Sequence, residues 1–212
     1  MTTLLNIRDF VNPRVLALVA ILASSLTLSG CGYNQIQTTD ESTKSAWAEV
    51  TNQYQRRFDL IPNLVNTVKG YAQQEKDVLV QVTEARAKVG QIKVDPSNPD
   101  SLKQFENAQK DMGSAMSRLL VVAESYPQLK SDANFRELQA EIAGTENRIT
   151  VARKRYIDTI QSYNVLVRQF PNNLTAMVFG YQPKPQFTVD NEGQIKTAPT
   201  VDFSNKPAAA PK

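Results

Sequence analysis

The sequence predicts an all-α protein, an antiparallel up-and-down bundle of three long helices, the first kinked at Pro62 and countable as two. Three observations predict it. Apolar residues recur at a 3-4 spacing over three long stretches, which alternation at period two could not produce. Only 8 of 212 residues are glycine, while 41% are apolar, a balance that favours a folded, helix-rich chain. Clusters of Pro, Asn, Asp and Ser fall between the stretches, with Pro62 as the exception inside one.

The N-terminus reads as a targeting segment ahead of the bundle. Arg8 and Arg14 precede VLALVAILASSLTL, and Ser29 and Gly30 follow, the charged, apolar, small-residue order of an export signal. The apolar run of 14 residues, Val15 to Leu28, would span about 21 Å as a helix, short of the ~30 Å of bilayer hydrocarbon. Leu28-Ser29-Gly30-Cys31 resembles the lipobox of bacterial lipoproteins, in which the cysteine thiol is acylated and the chain is cut before it. On this reading residues 1–30 are a cleaved signal peptide, Cys31 is the lipidated first mature residue, and residues 31–38 are a tether. Two or three acyl chains give stable attachment where one gives only marginal binding. The competing reading keeps the segment uncleaved as a membrane anchor, beside a cysteine with no anchoring role. Inner and outer membrane both remain open.

The first helix begins near Thr39 or Asp40, either of which can cap it, with Glu41 adding negative charge to the first turn. From Trp47 to Val89, 13 positions at 3-4 spacing hold 11 apolar residues, the exceptions being Arg57 and Glu75. Pro62 lacks an N–H and crowds the carbonyl of Phe58, so the helix kinks or restarts there, and Gly90 ends it. The linker QIKVDPSNPDS leads to Asp100 or Ser101 as the start of the second helix. Its stripe is Phe105, Ala108, Met112, Ala115, Leu119, Val122 and Tyr126, and Pro127 stops it. The third helix runs from about Ala133 to Gln169 with Phe135, Leu138, Ile142, Thr145, Ile149, Ala152, Tyr156, Thr159, Tyr163, Leu166 and Phe170 on one face. Pro171 closes it. Short connections between three striped helices bury the stripes most economically as an up-and-down bundle. That bundle covers residues 39–181, with the apolar LTAMVFGY packing back on it. Residues 182–212, with 5 of the 11 prolines, read as a flexible tail.

The chemistry available is narrow. Histidine is absent and Cys31 is the only cysteine, which removes the commonest metal ligand, the commonest general base and any internal disulfide. No phosphate-binding glycine loop is present. A net charge of +3 from 24 basic and 21 acidic residues leaves no nucleic-acid footprint. No catalytic, cofactor or metal residues are expected. Arg57 and Glu75, 18 positions apart, lie about 27 Å from each other along a helix and so reach partners on other helices or snorkel to solvent. The polar cluster Arg56, Arg57, Asp59, Asn63 and Asn66 around Pro62 either satisfies the backbone freed by the proline or presents a partner-binding surface. Tyr126, Tyr156 and Tyr163 at helical spacing read as core. ARKRY, at 152–156, reads as a solvated basic face able to touch anionic lipid.

Residues 32–34 (GYN), then NQYQRRFDLIPNLVNTVKGY, EKDVLVQVTEARAKVG, YPQLKSDANFRELQ and TENRITVARKRY, followed by SYN and FP, resemble the LemA family in order along most of the chain. The resemblance implies an extracytoplasmic four-helix bundle tethered by an N-terminal membrane segment, with no established enzymatic activity and no catalytic residues to carry over. Tyr156-Ile157, where the family more often has Tyr-Asn, and the lipobox, where many members keep an uncleaved span, are departures. Family members are often encoded near envelope proteases or TPM-domain proteins, and one branch works in magnetosome membrane formation. The resemblance therefore implies a non-enzymatic envelope scaffold or adaptor, with another envelope protein as partner and no cofactor. A small-ligand binder or enzyme using a pocket between the helices, and a mechanical spacer, are the alternatives.

Overall fold

The computed structural model describes residues 13–187, with side chains from Gly32 onward. Its regular structure is helical: α1 Pro13–Tyr71, α2 Lys76–Gln91, α3 Pro99–Glu124, α4 Pro127–Ser131, α5 Ala133–Leu166 and α6 Asn172–Phe179. The all-α bundle read from the sequence is the observed class, and its four long helices are α1, α2, α3 and α5.

Helix α1 has 59 residues, about 89 Å at ~1.5 Å per residue. It lies antiparallel to α5, with Trp47 against Tyr156 at 5.2 Å between ring centroids. α2 packs chiefly on α3. One core cluster joins Leu64 and Val68 of α1, Val82 of α2, Met112 and Leu119 of α3 and Ile142 of α5. A second, aromatic cluster gathers Tyr54, Phe105 and Tyr156, and a third closes the end near Ile36 with Tyr163, Leu166 and Ala176.

Local chemistry sets the helix starts. Asn98 caps α3, its Oδ1 accepting from the Asp100 N–H at 2.9 Å, and Pro99 occupies the first turn where a missing N–H costs nothing. The start is thus slightly ahead of the expected Asp100 or Ser101. Asp132 caps α5 by accepting from the Phe135 N–H at 2.9 Å. α6 ends at Gly180, whose φ of 73° is the left-handed conformation glycine adopts without steric cost.

Several sequence expectations change. The first helix breaks at residues 72–75, not at Pro62, which sits inside α1. The seam slips by one at the break, where Ala72 and Leu79 are buried in place of Tyr71 and Val78, and is back in register at buried Val82. Residues 31–38, expected as a tether, belong to α1, and Ile36 is fully buried under Tyr163 and Leu166. α5 ends at Leu166, so Phe170 of the expected stripe is exposed, and Ile160 rather than Thr159 is buried. The tail packs down at its start. Lys184 exchanges two hydrogen bonds with Asn164, at 2.7 and 2.8 Å, and Phe187 is buried against Trp47 and Tyr156. The rest of the expected tail, and residues 1–12 of the expected signal peptide, lie outside the described residues.

Candidate functional site

The cluster expected around Pro62 divides into two faces. Arg57 turns inward and is 4% exposed. Its guanidinium donates to Glu146 Oε1 of α5 at 2.5 Å and to Gln109 Oε1 of α3, and lies 5.1 Å from the Tyr54 ring centre. Arg56, Asp59, Asn63 and Asn66, at the 3-4-3 spacing of one helix face, are all exposed. Arg56 reaches Glu141 of α5 at 2.8 Å, and Asp59 accepts from Gln55 at 2.8 Å within α1. None of these residues satisfies the carbonyl that Pro62 leaves without its helical donor. That role falls to Arg86 of α2, whose Nε donates to the Phe58 carbonyl at 3.4 Å while its guanidinium sits 3.9 Å from the Phe58 ring centre.

Beside Arg57 the bundle opens as a groove of about 690 Å³ lined by α3 and α5 and by Tyr54 and Arg57 of α1. Four of its charged side chains are paired across the helices, Arg57 with Glu146 and Arg153 with Glu106. Arg153 of α5 donates to Glu106 of α3 at 2.8 Å and to the Tyr54 hydroxyl at 3.4 Å. Burial pushes the Tyr54 phenol above its ordinary pKa, against the pull of Arg153 and Arg57. Lys110 and Lys154 stand at the rim. Arg153 belongs to the basic run at 152–156 but is directed inward, over the Phe187 ring at 4.4 Å, whereas Lys154 and Arg155 are exposed. Glu106, Gln109, Glu146 and Arg86 were not singled out by the sequence. All four directly follow a stripe residue, Phe105, Ala108, Thr145 or Ala85, which is the one signal that such flanking side chains cross to a neighbouring helix. Among the described residues no group of three or more Cys, Asp or Glu side chains is placed to hold a metal ion.

Glu75, the other charge on the first seam, accepts from the Tyr126 hydroxyl at 3.1 Å where α1 turns into α2. It lies far from Arg57, as the helical spacing requires. Tyr156 and Tyr163 are core residues and Tyr126 is half-buried.

A third region is the end of the bundle from which residues 13–31 emerge. There α6 lies on α1: Asn172 and Thr175 crowd Gly32, where a Cβ would stand 2.7 Å from Asn172 Oδ1. The Tyr33 ring packs at a tilt against Phe179, 4.8 Å between ring centres, and against Tyr181 at 6.5 Å. The opposite face of α6 is apolar and open to solvent. The Cys31 backbone is part of α1, and its side chain lies outside those described. Among the described residues no helix is long and apolar enough to cross a membrane.

Comparison with known proteins agrees with the resemblance drawn from the motifs. The model of the LemA family matches residues 46–203. Magnetosome protein MamQ 2 of Paramagnetospirillum magneticum is 24% identical over 195 residues, covering 82% of this chain and 69% of that protein. Magnetosome protein MamQ of Magnetospirillum gryphiswaldense is 24% identical over 187 residues, 79% of this chain and 67% of that one. Protein LemA of Metamycoplasma hominis is 24% identical over 143 residues, 68% of this chain and 63% of that one.

Proposed function

We propose, from the premise that this chain belongs to the LemA family, that it is a membrane-anchored, non-enzymatic scaffold or adaptor of the cell envelope, facing the extracytoplasmic side. One observation carries the reading. The helix that begins with the apolar segment, α1, is the same continuous helix that packs on α5, α6 and α2. Whether the attachment is residues 13–30 or an acylated Cys31, it leads into the bundle through this helix without an intervening loop, which holds the bundle close to the membrane and suits presentation of a binding face.

The face offered is the exposed stripe Arg56, Asp59, Asn63 and Asn66, and its partner is another envelope protein; a protease or a TPM-domain protein is what the family resemblance suggests. The inward charges are less suited to catalysis, because Arg57, Glu146, Arg153 and Glu106 are engaged with one another across helices. Anchoring is through acylated Cys31 or through residues 13–30 retained as a helix. Intact mass of the chain from native membrane separates these: acyl mass on a product lacking residues 1–30, lost in Cys31→Ser, marks the lipoprotein form.

The adaptor role is tested with a photoreactive amino acid at position 63 or 66 of the full chain in its native envelope. The expected result is a recurring adduct with one envelope protein that is absent when the probe is at exposed Lys103 of α3. Equal adducts at all three positions, or none, would refute the stripe as the binding face.

A further inference from the structure

We infer that α6 is a membrane-docking helix, whose outer face lies in the interface of the bilayer that holds the N-terminal segment. This rests on the anchored reading above. Four apolar side chains, Phe170, Leu174, Met177 and Val178, stand exposed in one short stretch, with Phe170, Met177 and Val178 each at 78–80%. Leu174, Met177 and Val178 follow the i, i+3, i+4 spacing of one helix face. The opposite face, through Asn172, Thr175 and buried Ala176, holds the helix on α1. A helix that turns its large apolar side chains Leu174, Met177 and Val178 outward is the reverse of a helix folded to serve water.

The position of that face identifies what covers it. Gly32, on which α6 sits, lies four residues after Leu28, the end of the apolar run, or about 6 Å along α1. Any bilayer that takes up the apolar run, or the acyl chains on Cys31, begins at the level of α6. Tyr33, Phe179 and Tyr181 form an aromatic group at this level, the residue type that favours the membrane–water boundary. Arg168, exposed just ahead of Phe170, adds a cation suited to lipid headgroups. An interfacial helix of this kind attaches by its buried apolar face, and attachment at two points fixes the bundle's tilt on the membrane.

The test uses the full chain as cells process it, reconstituted into phosphatidylcholine–phosphatidylglycerol vesicles whose acyl chains carry bromine, a contact quencher of tryptophan. Trp47, the one native tryptophan, lies 15 residues below Gly32 and serves as internal reference. Met177→Trp adds a reporter on the exposed face, and Val121→Trp adds one on exposed α3 as a control. Vesicle flotation is scored on the same samples. Flotation with loss of the emission added at 177, and none at 121, is expected. Flotation with no loss at 177 overturns the docking and leaves anchoring intact. Unquenched emission at 177 that shifts to the blue only as more protein is packed per vesicle overturns it in favour of a second copy of the chain. Failure to float overturns docking and anchoring together.

Discussion

Arg86 of α2 donates to the carbonyl of Phe58 in α1, the carbonyl that Pro62 deprives of its helical partner. The proline is thereby accommodated without breaking α1, and the arginine that does so also stacks on the Phe58 ring. The proline and the arginine form one device although 24 residues separate them.

The coupling is measurable. Arg86→Leu removes the donor and is expected to cost about 1 kcal/mol, below the usual range for a bond to a charged group because the contact is long. Pro62→Ala restores the backbone N–H, so Arg86→Leu in that background should cost at least about 0.5 kcal/mol less. Urea unfolding of the four chains checks this. Equal costs in both backgrounds would show that Arg86 acts on stability without serving the carbonyl.

Arg57 is the most deeply buried charge among the described residues. Arg57→Ala leaves the Gln109 carbonyl oxygen without its donor and opens space beside Tyr54, and is expected to destabilise by about 3 kcal/mol. Glu146→Gln removes only the half-exposed partner and should cost under about 1 kcal/mol. The urea midpoints of the two variants decide the order. A Glu146→Gln loss equal to that of Arg57→Ala would mean that the ion pair, and not the contact with Gln109, holds the three helices.

These two arginines mark how far the sequence could be read. Arg57 interrupts an apolar stripe, so its inward position and need for partners were legible, but Gln109 and Glu146 were not, since each lies beside a stripe residue on another helix and only packing decides which way it turns. The break at 72–75 was hidden for a related reason. A four-residue turn without Pro or Gly consumes about one helical turn of chain, so a 3-4 pattern runs across it almost unchanged. Pro62 drew the break to itself because local sequence shows the lost donor and not the arginine that replaces it. On α6 the apolar residues were visible in LTAMVFGY, whereas their outward direction follows from where Gly32 leaves room for a helix.

The start of the tail is tied down by an acid-sensitive contact. Lys184 meets Asp40 at 2.6 Å, and although burial opposes it, the hydrogen bonds and charges of Lys184 and Lys44 hold the Asp40 carboxyl below its usual value of 3.8. A carboxyl that titrates lower folded than unfolded adds stability above the unfolded pKa, and that stability is lost as pH falls through the folded one. The strap should therefore loosen below about pH 4. The nuclear magnetic resonance shift of the Lys184 amide, which donates to Asn164, should titrate in that range, and Asp40→Asn should flatten the curve. An unchanged titration in Asp40→Asn would assign it to another carboxyl.

At the alkaline end the sign reverses. Tyr156 lies under Trp47 and Phe187, and burial pushes its phenol up to about 12. The folded chain keeps this proton while an unfolded one releases it near pH 10, so stability present below that point declines as pH rises toward 12. Tyr156→Phe preserves the ring contacts and should change stability near neutrality by under about 1.5 kcal/mol. Between pH 10 and 12 its urea midpoint should fall less steeply than that of the native chain, with the remaining slope owed in part to Tyr54, whose phenol burial also raises. Parallel midpoints across the range would mean that Tyr156 ionises as freely in the folded chain as in the unfolded one, and so that water reaches it beneath the aromatic cluster.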